Sequence, residues 1–486
     1  MQTKEDLQQF IREKLKDRVF VIVANKEPYQ HISTVDGIKI KKPSGGVHTL
    51  LDLIARASKG IYVAHGDGNA DKLVVNDNNI IKMPSHEESY CLKRVFLSKK
   101  ELENYYFGFA NQTLWPLCHV TFVKPEFDVN WWKYYRDVNI KFAKAVLEEI
   151  DDRKAFIWVN DYHLALVPRL LKESGKDLII GTFWHIPWPT NSIFRINPWA
   201  KDLLNGLLGS KFLSFHRDTY VNNFFQSIQN NLEAKVDLEQ ARVVYQDQTT
   251  KVEALPAGID YQELLNIKNH CKNSNNLWIK KELGVNVKYL AIGVDRVDYI
   301  KGLVERFRMI DRFLEKYPEF IDNFAYLGIM PLSRYHIRAV RSYGEAVFDL
   351  VDKINWKYSK NGWRPIFLET RSIPREKLIS YYKISDLCIV TSLDDGMNLV
   401  AKEYVVSCRQ KNGILILSKL TGAAKDLRHC LQINPYDIEE GADAIYKGLT
   451  MSEEEKKDRN AKMLEELKKN NIYDWAINFI DKTLSD

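Results

Sequence analysis

The run Leu393-Asp394-Asp395-Gly396-Met397-Asn398-Leu399-Val400-Ala401-Lys402-Glu403 follows an apolar stretch and precedes a helical pattern. Gly396 permits a tight turn. The backbone N–H groups after it are unsatisfied by the helix and point outward with the positive end of its dipole, an arrangement suited to a diphosphate. Glu403, one to two turns on, can accept hydrogen bonds from ribose hydroxyls. The plain alternative is an Asp-capped helix with nothing bound, since Asp is a favoured N-cap.

A second group lies in Gly293-Val294-Asp295-Arg296-Val297-Asp298-Tyr299-Ile300-Lys301-Gly302. Arg296 and Lys301 fall between an apolar run and a helical pattern, where two cations can neutralise charge growing on a departing diphosphate. Arg offers two donors to a phosphate and Lys a point charge. The alternative is a surface pair balanced by Asp295 and Asp298. A third group is Asn160-Asp161-Tyr162-His163 with Phe183-Trp184-His185-Ile186-Pro187-Trp188-Pro189. Asp161 and His185 can hydrogen-bond sugar hydroxyls, and the prolines stiffen the second loop. A histidine there is also readily satisfied by a backbone partner. Ser44-Gly45-Gly46-Val47 is a glycine turn that lets a ligand approach the backbone. Tyr105 to Asn111, running to Leu114-Trp115-Pro116, is dense in aromatics that can floor a sugar pocket or build core. No Asp-x-Asp clamp and no His-Glu-x-x-His motif occurs, so no metal site is expected.

These groups need strands and helix starts to hold them. Continuous apolar runs recur at 19–24, 156–159, 178–181, 289–294, 324–327, 387–390 and 413–417. Unbroken rather than alternating hydrophobicity fits strands buried on both faces, and helical stretches such as 303–317 supply the crossovers of parallel α/β sheets. A polar stretch after Pro256-Ala257-Gly258-Ile259-Asp260 divides the chain. The expectation is a domain over 1–260, a second over 261–465 and a terminal helix over 466–486. Ligands of such sheets bind beyond the carboxyl ends of the strands, so the cleft between two such domains is the expected site.

At 486 residues the chain exceeds one ordinary core. With 45% hydrophobic and 28% charged residues it falls among soluble globular proteins. The net charge of +6 comes from 70 basic and 64 acidic residues spread along the chain, which argues against a nucleic-acid partner. The first apolar run is too short for a signal core or membrane span. The six cysteines form no Cys-x-x-Cys pair, which favours a reducing, cytoplasmic setting.

Together these segments resemble the trehalose-6-phosphate synthases, retaining glycosyltransferases of family 20 with the GT-B fold: two Rossmann-like domains with parallel sheets facing a central cleft. The resemblance runs from Val19 to about Trp475 and rests on Tyr106 to Pro116, Asp161-Tyr162-His163, His185-Ile186-Pro187, Arg296 to Gly302, Asp395 to Tyr404, and Leu415 through Ala424. It implies an enzyme that moves glucose from a nucleotide-diphosphate glucose to a phosphorylated acceptor, first of all glucose 6-phosphate. It implies no cofactor beyond that co-substrate and no metal. The first domain would bind the acceptor, and the second the nucleotide sugar. Asp161, His185, Arg296 and Lys301 would act at the reacting centre. Gly46, Asp395, Gly396, Met397, Asn398, Leu399, Val400 and Glu403 would hold the donor. Lys26, His65, Tyr106, Trp115 and Arg334 would hold the acceptor, with Arg334 on its phosphate. The terminal helix would pack back on the first domain. A homo-oligomer is compatible with the family.

The departures fall on the acceptor side. Ala24-Asn25-Lys26 replaces the usual Ser-Asn-Arg, and Lys cannot grip bidentately. Tyr62-Val63-Ala64-His65 replaces Trp-x-Gly-Trp, and Asp394 stands where Arg is usual. A related synthase taking glycerol 3-phosphate or a cyclitol phosphate, or a non-catalytic sugar-phosphate binder, therefore remains a competing expectation. A dinucleotide oxidoreductase lacks its Gly-x-Gly-x-x-Gly between Val19 and Gly46.

Overall fold

Two large sheets and a two-stranded hairpin carry the described strands. The computed structural model describes residues 2–42, 46–85, 89–270, 287–360, 362–408 and 412–485. The described residues divide into one unit of Met1–Gly258 with Ile472–Asp486 and another of Ile259–Asn471.

The strands of the first unit are β1 (Val19–Lys26), β2 (Gln30–Thr34), β3 (Gly37–Lys41), β4 (Ile61–His65), β5 (Ile80–Met83), β6 (Tyr90–Val95), β7 (Ala155–Asn160), β8 (Leu178–Phe183), β9 (Phe212–Phe215), β10 (Lys235–Asp237), β11 (Arg242–Tyr245) and β12 (Gln248–Ala254). Ten of them form one sheet in the order β10-β11-β12-β9-β8-β7-β1-β4-β6-β5, while β2 and β3 form a separate hairpin. From β12 to β6 neighbours run parallel, and the antiparallel strands lie at the two edges. The chain winds outward from β1 through β4 and β6, then returns to add β7, β8, β9 and β12 on the other side. The winding reverses between β1 and β7, so the crevice for a ligand lies beyond Lys26 and Asn160. The unbroken apolar runs of β1 and β7 are buried along most of their length, as two-sided cover requires.

The terminal helix, Ile472–Leu484, belongs to the first unit. Phe479 stacks on Trp158 at 4.0 Å between ring centroids, and Trp475 meets Phe183 edge-on at 4.9 Å. A Cβ on Gly181 would come within 2.8 Å of Phe479, so the strand there must be bare for the helix to lie flat. Truncating so deeply buried an aromatic costs about 3–5 kcal/mol.

The second unit carries β13 (Tyr289–Val294), β14 (Phe324–Ile329), β15 (Ile366–Glu369), β16 (Leu387–Val390), β17 (Ile414–Ser418) and β18 (Leu431–Ile433). All neighbours are parallel, in the order β15-β14-β13-β16-β17-β18. This is the doubly wound order of a nucleotide-binding sheet, with its switch point between β13 and β16. Two apolar layers cover the faces, one built around Tyr404, Val405 and Leu415, the other around Phe307, Ile310 and Tyr326. The sequence motifs containing Arg296 and Asp395 follow β13 and β16 respectively. Strand order alone therefore brings them to one crevice, although about a hundred residues separate them.

Candidate active site

In the second unit β13 ends and a short turn, Tyr299–Lys301, leads into the helix Leu303–Lys316. Gly302 closes that turn at φ +58, and a Cβ there would strike the Thr391 carbonyl oxygen at 2.1 Å. Glycine is thus demanded by backbone conformation and by the close approach of the β16 loop. Lys301 Nζ reaches that loop and donates to Asp395 Oδ2 at 2.6 Å, with Asp295 at 3.8 Å. Asp395 also accepts from Ser392 Oγ at 3.2 Å and Asn398 Nδ2 at 3.1 Å. Lys301 is largely buried, so it is no surface cation.

The helix after β16 begins at Leu399, and its cap is Asn398, whose Oδ1 accepts from Ala401 N–H at 2.9 Å. The Asp-capped alternative drawn from sequence is corrected here: with Asn398 capping, Asp395 is left to Lys301. The first-turn N–H groups of Leu399 and Val400 lie ahead of the first i→i−4 bond of the helix. The turn at Gly396 and Met397 is pressed against Gly422: a Cβ on Gly422 would lie 1.9 Å from the Gly396 carbonyl oxygen. Gly422 N–H donates to Asp395 O at 2.8 Å. Glu403 sits on the same helix, where Arg375 donates to it at 3.5 Å and to Glu263 at 2.7 Å. Burial raises the Glu403 carboxyl above its ordinary value, with Arg375 opposing.

Arg296 Nε donates to Asp298 Oδ2 at 3.2 Å, and Arg334 shares that oxygen. Beneath the turn, buried Arg306 donates to Asp295 at 2.6 Å, Thr391 at 3.0 Å and the Tyr326 hydroxyl at 3.0 Å. Thr391 in turn donates to the Gly302 carbonyl at 2.8 Å. This network fixes the Lys301 turn to β16.

In the first unit Asp161 follows β7 in a left-handed conformation, φ +74. His185 N–H donates to its Oδ1 at 3.2 Å. Burial pushes the Asp161 carboxyl up to about 7, opposed by the N–H groups of Tyr162 and His185. Burial also lowers the His185 imidazole to about 3, so it is neutral at working pH. Its Nε2 meets Asn160 Oδ1 at 3.1 Å; the Asn160 amide nitrogen donates to the Trp158 carbonyl at 3.1 Å, which leaves Oδ1 as the acceptor for Nε2–H. Nδ1 is then the lone-pair side, fit to accept from a hydroxyl.

Lys26 ends β1 and is register-paired with His65 at the end of β4. The two unusual residues are therefore neighbours at the carboxyl ends of two adjacent strands. His65 Nδ1 lies 3.0 Å from the Val95 carbonyl, and burial holds its pKa below the ordinary value. Lys26 Nζ lies 5.7 Å from the centre of the Tyr106 ring, which stacks on His163 at 5.6 Å. His163 Nδ1 is 3.8 Å from Asp161 Oδ2. One chain of contacts thus runs from Lys26 to His185. Tyr106 rides on a π-helix, Leu102–Leu114, a rare wide-pitch element that often marks functional sites. Trp115 is buried against His119 and Tyr162 at 4.1 and 5.8 Å. Gly46 caps the helix Val47–Ser58 at φ +86. Ser44 and Gly45 of the same turn lie outside the described residues.

Beside these strand ends Glu27, Asp71 and Arg94 are buried together. Arg94 pairs with Glu27 at 2.7 Å and Asp71 at 3.0 Å. Burial and the Asp71 carboxylate push Glu27 up to about 10, so it holds a proton. Asp67 and these two carboxylates place oxygens within 4.8 Å of one another. Arg94 supplies the countercharge, and the cluster pins the Gly66–Asp71 segment to β2 through His31 N–H on Asp71 at 2.8 Å.

Sequence reasoning missed Gly422, Arg375, Asn160, Asp298 and Arg306 as parts of the site. Gly422 and Asn160 stood in segments quoted without a role for them, and Asp298 was read only as a counter-ion, while Arg375 and Arg306 carried no signal.

Two parallel α/β units, one with a nucleotide-type switch point lined by Arg296, Lys301 and Asp395, define a glycosyltransferase of the GT-B class. The chain belongs to glycosyltransferase family 20, whose family model matches residues 18–484. It is 37% identical over 400 residues to an α,α-trehalose-phosphate synthase (UDP-forming) of Pichia angusta, covering 81% of this chain and 83% of that one. It is 34% identical to a trehalose-6-phosphate synthase of Mycolicibacterium vanbaalenii, covering 96% of each. An E. coli structure bound with UDP-2-fluoro glucose superposes with a TM-score of 0.84 at 30% identity, covering 96% of this chain and 99% of that one. A Burkholderia xenovorans α,α-trehalose-phosphate synthase in complex with glucose-6-phosphate also gives 0.84, at 27% identity, covering 96% and 100%. No helix among the described residues is long and apolar enough to cross a membrane.

Proposed function

We propose that this enzyme transfers glucose from UDP-glucose to glucose 6-phosphate, with retention, to give trehalose 6-phosphate. The observation that carries the reading is the meeting of Lys301 with Asp395 at the β13/β16 switch point, beside Arg296 and an open helix start. The nucleotide diphosphate sits on the N–H groups of Gly396 to Val400, with Arg296 and Lys301 on its oxygens and Glu403 on the ribose. Asp395 accepts from hydroxyls of the glucose. On the first unit Asp161 and the neutral His185 add two further acceptors for sugar hydroxyls. The acceptor hydroxyl attacks the anomeric carbon on the face the diphosphate leaves from, and the leaving phosphate oxygen takes the proton. The protein contributes placement and fixed charge rather than a nucleophile.

The activity needs no metal, because side-chain cations and backbone dipoles carry the leaving-group charge. The relatives' names support UDP as the nucleotide. Free cysteines at all five described positions support a reducing, cytoplasmic setting.

A second acceptor is favoured by one observation: Lys26 and His65, side by side at the carboxyl ends of β1 and β4, replace an Arg and a Trp. A smaller phosphorylated polyol such as glycerol 3-phosphate, or a cyclitol phosphate, fits that change. Nucleotide release measured over UDP-, GDP- and ADP-glucose against glucose 6-phosphate, glycerol 3-phosphate and a cyclitol phosphate tests both readings. Turnover with UDP-glucose and glucose 6-phosphate above all other pairs supports the first. A preference for another acceptor by an order of magnitude replaces it with the second, and donor binding without release in any pair refutes both.

A further inference from the structure

Asp298, to which neither the donor nor the acceptor assignment gives a role, joins one arginine of each. It is fully buried. Its Oδ2 receives Arg296 Nε at 3.2 Å and an Arg334 guanidinium nitrogen, and its Oδ1 faces Ile300 N–H at 3.4 Å. One carboxylate therefore ties together the turn that bears Lys301 and two arginines from different loops. Those loops leave neighbouring parallel strands: Asp295 N–H donates to Ile329 O at 3.1 Å, and Val297 N–H to Pro331 O at 3.2 Å. Arg334 itself is held at φ +56, a left-handed conformation that costs a non-glycine residue free energy and persists only where its surroundings impose it.

The sharing gives this bridge a consequence. Arg296 and Arg334 both pair with the one carboxylate Asp298, while Lys301 and Arg306 pair with Asp395 and Asp295. A carboxylate shared by two guanidinium groups serves each less than it would serve one. A phosphate that takes up Arg296 draws it from Asp298 and leaves the carboxylate more fully to Arg334. That holds the strained Arg334 loop in the shape that meets a second phosphate. We propose that Asp298 is a positioning residue that couples the two phosphate sites of the second unit, so that a bound nucleotide tightens binding of the phosphorylated acceptor. By linkage the acceptor tightens nucleotide binding by the same factor. The inference rests on the proposed roles of Arg296 at the donor and Arg334 at the acceptor.

Calorimetric titration of the whole enzyme tests it. Glucose 6-phosphate and glycerol 3-phosphate are titrated with and without saturating UDP, reading whichever binds more tightly. The wild-type protein is expected to show affinity raised at least fivefold by UDP, and Asp298→Asn a factor below two. A merely structural role would lower thermal stability without moving that ratio. If Asp298→Asn does not fold, Arg296→Lys serves instead, since it keeps a phosphate cation but loses the Nε contact to Asp298; the same loss of coupling is expected. A wild-type ratio near one, or an unchanged ratio in the variant, overturns the inference. Arg334→Ala separates the two levels. Acceptor affinity unchanged in Arg334→Ala overturns the acceptor assignment and the inference with it. Affinity lost at least tenfold there, with coupling intact in Asp298→Asn, overturns the inference alone.

Discussion

Replacing Lys301 by methionine keeps most of the stem and removes the ammonium. Two costs follow, and the structure separates them. Lys301 Nζ stands 2.6 Å from Asp395 Oδ2, with both side chains about one-tenth exposed. Breaking such a pair costs about 3–5 kcal/mol when the partner is left bare. Asp395 keeps Ser392 and Asn398 as donors, so the lower end, about 3 kcal/mol, applies. For a unit the size of 259–471 that is a fall of about 6–12 °C in its melting transition. The second cost is catalytic. A fixed cation aimed at a leaving group is worth about 2.7–4 kcal/mol in the transition state, or about 10²–10³ in kcat. Adding Asp395→Asn to Lys301→Met removes the unpaired charge, so the double variant should regain most of the lost melting temperature. It should not regain rate, because the leaving diphosphate still lacks its cation. The measurements are calorimetric melting and steady-state nucleotide release at saturating donor and acceptor. Recovery of kcat in the double variant would mean that Lys301 serves only to neutralise Asp395. More than a tenth of wild-type kcat in Lys301→Met would refute the leaving-group role directly.

Asp161 gives a pH prediction. Its folded carboxyl is raised to about 7, so the associated stability is fully present below the unfolded value near 3.8 and is lost as pH rises through 7. Activity should move the other way, since only the carboxylate is a full acceptor for sugar hydroxyls: kcat/KM rises through an apparent pKa near 7, and Asp161→Asn gives a low, flat profile that is more resistant to alkaline unfolding. A wild-type profile flat from pH 5 to 8.5 would count against Asp161 at the sugar. Gly422→Ala drives a methyl into the Gly396 carbonyl and should weaken UDP binding at least tenfold by calorimetry; unchanged binding would show that this turn does not cradle phosphate. Finally, nucleotide release should survive exhaustive treatment with EDTA, and a loss restored by added magnesium would overturn the metal-independent reading.

The sequence by itself determined the local chemistry of this protein. Unbroken apolar runs marked β1, β7, β8, β13, β14, β16 and β17, because a strand covered on both faces has no polar side to show. The Asp395 to Glu403 run is legible as a helix start because its turn and first helical turn are set by neighbours in sequence, although the cap is Asn398 rather than an Asp. The strands β4, β6, β9, β12, β15 and β18 carried weaker patterns. The π-helix that bears Tyr106 was not marked as such by any pattern in the sequence; within it Phe109 packs on Tyr135 at 4.5 Å between ring centroids. Only the tertiary structure decided which side chains meet. Lys301 finds Asp395 across 94 positions, Arg375 finds Glu403, and Lys26 stands beside His65. Strand order and register fix those pairings, and both are settled by long-range burial that no local window contains. For the same reason Asp298, read in sequence as a mere counter-ion to a surface pair, emerges as the carboxylate that two arginines share.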